Sequence, residues 1–130
     1  MGKVVFFSFS ETDRDVVLTI KGRAVNSNYN NLDFRVQDLL KRWDTEDPAV
    51  IRRAISQNID GASKTIVFVG NSTYKSYWVT EEVRMTLQER KPVFAIRLKD
   101  TNGQVPTCLS NNNIPIYAWS EQTLQILCSK

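Results

Sequence analysis

Apolar positions along this chain recur with two different periods, and the switches between them mark out its elements. Val4-Val5-Phe6-Phe7-Ser8-Phe9 is rich in β-formers and predicts a buried first strand. Ser10 or Thr12 can cap the helix that follows, with Asp13 and Asp15 suited to its positive end. Val16, Val17, Ile20 and Ala24 form its apolar stripe. Asn26 to Asn31 is a polar turn segment, and Leu32 to Val36 alternates as a half-exposed edge strand would. Residues 37–47, with Leu39, Leu40 and Trp43, fit either a short helix or an ordered loop. Asp47-Pro48 starts the next helix with a cap residue and a proline at the first helical position. Ile51, Ile55 and Ile59 line one face of that helix, and Gly61 ends it. Thr65 to Val69 is a second buried strand, broken by Gly70-Asn71-Ser72. Ser76 caps a helix running to about Arg90, with Val79, Val83, Thr86 and Leu87 as its stripe. Val93 to Leu98 predicts another strand, residues 100–113 a loop, Ile114 to Tyr117 a short strand and Gln122 to Leu127 a last helix.

Strands alternating with helices imply a parallel sheet covered on both faces. The expected fold is therefore a single α/β domain over residues 1–130. It would be a doubly wound sheet of five parallel strands in the flavodoxin-like order 2-1-3-4-5. In such a sheet ligands sit beyond the carboxyl ends of the strands, where the strand order reverses. That crevice falls between the first and third strands, at Ser8-Phe9-Ser10-Glu11 and Gly70-Asn71-Ser72-Thr73, beside the helix carrying Trp78 and Glu82.

Composition removes whole classes of chemistry. There is no histidine. A Ser-His-Asp triad, a Cys-His dyad and a His-Glu-x-x-His zinc site are all excluded. The two cysteines, Cys108 and Cys128, fit no metal or redox spacing and read as buried free thiols, with a disulfide between them as the alternative. No metal is expected. The five glycines never come closer than nine residues, so no Gly-x-Gly-x-x-Gly and no phosphate-cradling Gly-Lys-Ser/Thr loop can be drawn. The strand ending at Val69 carries no aspartate, which argues against a phosphate-accepting regulator. The formal charge is +3, but the basic residues form no dense stripe with aromatics between them. No nucleic-acid partner is expected. The longest apolar runs are strand-length, so no membrane association is expected, and no secretory signal is evident. A cytoplasmic protein is the corresponding expectation.

Trp78-Val79-Thr80-Glu81-Glu82 is the informative stretch. Trp78 and Glu82 are four apart and share one side of the helix, next to the Val79/Val83/Leu87 stripe, while Glu81 points about 100° away. Periodicity alone leaves two readings open. Trp78 and Glu82 are a packing residue and a solvated carboxylate, or they wall the cleft at the strand ends.

Lys3-Val4-Val5-Phe6-Phe7-Ser8-Phe9-Ser10 resembles the opening box of TIR (Toll/interleukin-1 receptor) domains. Val69 to Val83, with its Gly-Asn-x-Thr turn and Ser-x-Trp-x-x-x-Glu segment, resembles a second TIR box. Lys91-Pro92-Val93-Phe94-Ala95-Ile96 resembles the strand after it. The likeness spans roughly residues 3–99 and is nearest to the prokaryotic TIR-like proteins of Thoeris antiphage systems. It implies NAD⁺ cleavage and a cyclic ADP-ribose-type signal. It also implies that Glu82 is the catalytic glutamate and Trp78 the family's aromatic, with Phe9 and Ser10 lining the nucleotide site. Gly70 and Asn71 join them by their place at the crevice. Residues 36–47 do not resemble the BB loop of eukaryotic TIR domains.

The chemistry suits a chain without histidine. Nicotinamide leaves NAD⁺ as a neutral molecule and needs no acid, and a carboxylate can stabilise the positive ribose left behind. NAD⁺ would be substrate, with no resident cofactor, and the signal would reach a separate effector by diffusion. Homo-oligomerisation stays open. Two rival readings are a non-catalytic TIR-like interaction module and a nucleoside glycosyl-transferring enzyme on a related fold.

Overall fold

A computed structural model describes residues 3–24, 34–37 and 46–129. The expected Asn26–Asn31 turn and most of the ambiguous 37–47 segment lie outside these residues. The strands are β1 (Lys3–Ser8), β2 (Phe34–Gln37), β3 (Lys64–Val69), β4 (Val93–Arg97) and β5 (Ile116–Tyr117). The helices are α1 (Arg14–Ala24), α2 (Pro48–Gly61), α3 (Tyr77–Gln88), α4 (Thr107–Ser110) and α5 (Glu121–Ser129). The class is α/β with a parallel sheet, as the alternation of periods implies. Among the described residues every pairing is parallel, and the strands lie side by side as β2-β1-β3-β4-β5.

Each buried strand sends alternate side chains to opposite helix layers. Val5, Phe7, Ile66, Phe68 and Ile96 pack with Val17 and Ile20 of α1 and with Leu124 and Leu127 of α5. On the other face, Phe6 meets Ile51, Ile55 and Ile59 of α2. Val67, Val69 and Ala95 meet Val79 and Val83 of α3 and Leu109 of α4 on that same face. β3 is buried along its whole length, as a strand covered on both faces must be.

Local signals set the helix ends. Asp47 Oδ1 accepts from Ala49 N at 3.0 Å, with Pro48 opening α2. Ser76 Oγ accepts from Val79 N at 3.2 Å and starts α3. α3 ends at Gln88, two residues before the expected Arg90, because Arg90 takes a left-handed φ of 60° and turns the chain towards β4. The expected 100–113 loop holds the short helix α4. Its single turn buries Leu109, too little periodicity to stand out in sequence.

A long-range link ties β3 to the last helix through Lys64, only 2% exposed. Its Nζ donates to the carbonyl oxygens of Leu127 at 3.2 Å and Cys128 at 2.9 Å. A cation at the negative end of α5 satisfies carbonyls that have no partner within the helix. Burial pushes the neighbouring Cys128 thiol up to about 12, partly opposed by the Lys64 charge, and both cysteines are free. Among the described residues no helix is long and apolar enough to cross a membrane.

Candidate active site

The site begins with the two-residue period of β1. Phe7 and Phe9 face the α1/α5 layer, so Ser8 and Ser10 face the α2/α3 layer. Ser8 is fully buried, and its Oγ donates to Glu82 Oε1 at 2.6 Å. Glu82 is fully buried on α3, on the face shared with Trp78 one turn earlier. The next turn locks the helix to the sheet. Thr86 Oγ1 donates to Glu82 O at 2.8 Å and lies 2.7 Å from Thr65 Oγ1 on β3. The result is a carboxylate held rigidly at the carboxyl end of β1.

A cleft of about 270 Å³ opens where the loops after β1 and β3 meet the start of α3. Ser10, Glu11 and Thr12 line it from the loop after β1, Ser72 and Lys75 from the loop after β3, and Ser76 and Trp78 from the start of α3. Ser10 follows Ser8 by two residues, and Trp78 precedes Glu82 by about one helical turn. Trp78 also packs against the α2 layer, with the Arg52 guanidinium 5.4 Å from its ring centroid.

Of the residues expected at the site, Ser10 and Trp78 line this cleft, and Glu82 does not: it is fully buried against Ser8. Phe9, Gly70 and Asn71 do not line it. Strand alternation turns Phe9 into the α1/α5 core. Gly70 is the seat of Asp13: a Cβ there would fall 2.2 Å from Asp13 Oδ2. Asn71 points towards the loop after β4, where its Oδ1 accepts from Asn102 N at 2.9 Å. All three brace the loops that carry the lining residues.

Sequence reasoning missed Ser8, the direct partner of Glu82. The available signal was a hydroxyl at an inward position of an otherwise apolar strand, since a buried hydroxyl needs a partner. It also missed Asp13, whose carboxyl burial pushes upward, offset in part by the Thr73 hydroxyl. Thr73 Oγ1 itself accepts from Gly70 N at 2.8 Å. Glu81 serves a different surface. It pairs with Arg52 of α2 at 2.6 Å and with Arg84 at 2.8 Å. The Arg84 hydrogen bond, then that from Arg52, hold its carboxyl at about 2. Arg52 also donates to the Tyr77 hydroxyl.

The family model described as Thoeris protein ThsB, TIR-like domain, matches residues 6–103, three quarters of the chain. The chain belongs to this family. No curated protein matches it. Among solved structures, this TIR-like domain resembles the TIR domain of the Toll-related receptor TRR-2 from Hydra magnipapillata, with a TM-score of 0.65 and 15% identity. That match covers 96% of this chain and 90% of the receptor domain. It also resembles the CMP N-glycosidase BcmB of Clostridium botulinum, with a TM-score of 0.56, 12% identity and 98% of both chains covered. A third likeness is to the RPS4 and RRS1 TIR domain heterodimer, with a TM-score of 0.52, 12% identity, and coverage of 98% of this chain and 90% of that one. At these identities the likenesses speak for the fold.

Proposed function

We propose that this ThsB-type TIR-like domain cleaves the bond between nicotinamide and ribose in NAD⁺ and forms a cyclic ADP-ribose-type signal in antiphage defence. The observation that carries the reading is the Glu82 carboxylate, fixed by Ser8 at the end of β1 behind a polar cleft. The reading takes the sheet as the family's complete doubly wound five-stranded arrangement, with its crevice between the first and third strands. Nicotinamide departs neutral as positive charge builds on the ribose, and Glu82 stabilises that charge. The face of Trp78 holds the pyridinium cation before it leaves. Ser10 and its neighbouring hydroxyls offer hydrogen bonds to the rest of the dinucleotide. Glu82 is fully covered here, so substrate entry requires Trp78 or the loop of residues 10–12 to move aside. Water as acceptor gives ADP-ribose, and a group on the same molecule gives the cyclic product.

The proposed setting is the cytoplasm, with a separate effector reached by the diffusing product and neither nucleic acid nor membrane as partner. The assay is incubation with NAD⁺ and chromatography of nicotinamide, ADP-ribose and cyclic products, run over a range of protein concentrations to register any need for self-assembly. Glu82→Gln should lower turnover by at least ~10²-fold with the fold intact. Full activity in that variant refutes the role of Glu82, and no turnover under any condition favours the interaction-module reading. The likeness to a CMP N-glycosidase makes CMP the second substrate to run in the same assay.

A further inference from the structure

Charge is distributed unevenly around the cleft at the start of α3. Glu11 reaches it from the loop after β1, and Lys75 from the loop after β3. The other lining residues bear hydroxyls or, at Trp78, an indole, and none is charged. Both charged side chains are exposed, so a ligand entering from solvent meets them first. Among the described residues Lys75 has no carboxylate partner, and its Nζ lies 5.5 Å from the ring centroid of Tyr74. Arg52 is differently placed. Its guanidinium lies 5.4 Å from the Trp78 ring centroid, but it is held by Glu81 and the Tyr77 hydroxyl. Lys75 is therefore the cation this cleft offers to a ligand.

We propose that Lys75 anchors the diphosphate of a dinucleotide in this cleft, and that Glu11, by repelling that diphosphate, fixes which way round the substrate lies. This rests on the reading of the cleft as an NAD⁺ site and adds the two residues that orient the substrate there. An anionic group is drawn to the loop after β3 and driven from the loop after β1. Lys75 precedes Trp78 by three residues, and in NAD⁺ a single ribose separates nicotinamide from the nearer phosphate. A pyridinium on Trp78 and a diphosphate at Lys75 are thus engaged by one short segment of chain. An ammonium on a flexible stem suits the task, since it pairs with phosphate as a point charge and needs no fixed fork. The diphosphate is remote from the bond that breaks. Its contact with Lys75 is the same in ground and transition states, so it acts on KM and not on kcat.

The test is calorimetric titration of the full chain with ADP-ribose, which carries the diphosphate, and with adenosine, which does not, alongside NAD⁺ kinetics. ADP-ribose should bind at least about 10-fold more tightly than adenosine, and the gap should narrow as salt rises from about 0.05 to about 0.5 M. Lys75→Met should weaken ADP-ribose by about 5-fold or more and leave adenosine as it was, while Lys75→Arg keeps most of the affinity because it keeps the charge. Glu11→Gln should tighten ADP-ribose by removing the repulsion. In NAD⁺ turnover Lys75→Met should raise KM by about the factor seen with ADP-ribose, with kcat within about 2-fold. Absence of turnover in the wild type refutes NAD⁺ cleavage and leaves the binding titrations to judge Lys75. Wild-type affinity for ADP-ribose in Lys75→Met, an equal loss with adenosine, or no saturation of the wild type by ~10 mM overturns the anchor. Unchanged or weaker ADP-ribose binding in Glu11→Gln overturns the orienting role.

Discussion

Replacing Ser8 by alanine removes one oxygen and leaves the shape of the core almost unchanged. What it takes away is the hydrogen bond to Glu82 Oε1, 2.6 Å long between two fully buried residues. The carboxyl oxygen then loses a donor in a place water does not reach. Such a loss costs about 1–3 kcal/mol, more than the net value of an exposed hydrogen bond, because the desolvation of the abandoned partner is not recovered. An unfolding entropy of about 2.1 cal/mol/K per residue makes each kcal/mol worth about 4 °C for a domain of this length. Ser8→Ala should therefore lower the melting temperature by about 4–12 °C. A double-mutant cycle isolates the pair. In a Glu82→Leu background the Ser8 hydroxyl has lost this acceptor, so the same Ser8→Ala change should cost nothing or stabilise. Thermal unfolding of the four chains supplies the comparison. A penalty below ~0.5 kcal/mol, or an equal penalty in both backgrounds, would falsify the claim that Ser8 and Glu82 act as a unit.

Two further outcomes follow from the ion pairs. Glu81 titrates lower in the folded chain than its ordinary 4.5, so its contribution is present above pH 4.5 and lost as the pH falls towards 2. Acid titration of stability should find the wild type losing its small advantage over Glu81→Gln in that window, while NAD⁺ turnover is the same in both. Lys64→Met leaves the Leu127 and Cys128 carbonyls without their ammonium donor. It should cost about 1–3 kcal/mol in urea unfolding, with hydrogen exchange accelerating first in α5, and uniform exchange along the chain would contradict the assignment.

The parts of this fold that could be read in the sequence are those governed by neighbours a turn or less apart. The α2 start needed only Asp47-Pro48, and its core face only the spacing of Ile51, Ile55 and Ile59. The shared face of Trp78 and Glu82, and the divergence of Glu81, followed from one helical turn. The family likeness marks the loop that Phe9 begins, whereas in the fold its ring packs in the α1/α5 core. Ser8 to Glu82 spans 74 positions, and Lys64 to Cys128 spans 64. No local pattern encodes such links; they exist only once the sheet has brought the elements together.

The covering of one sheet face by α5 bears on how the protein is made. Val5, Phe7, Ile66 and Phe68 belong to strands synthesised in the first half of the chain or just after it, yet their core is completed by Leu124, Leu127 and Cys128. While a ribosome is still adding those residues, that face of the sheet has only α1, through Val17 and Ile20, to cover it. Lys64, too, gains the carbonyls of residues 127 and 128 only when α5 has been made. The nascent domain therefore carries a half-covered apolar face until α5 is made, and its final packing is an event that follows translation of that helix. A stalled or truncated product lacking α5 would present that face to chaperones and proteases, which makes completeness of the chain a condition of its survival in the cell.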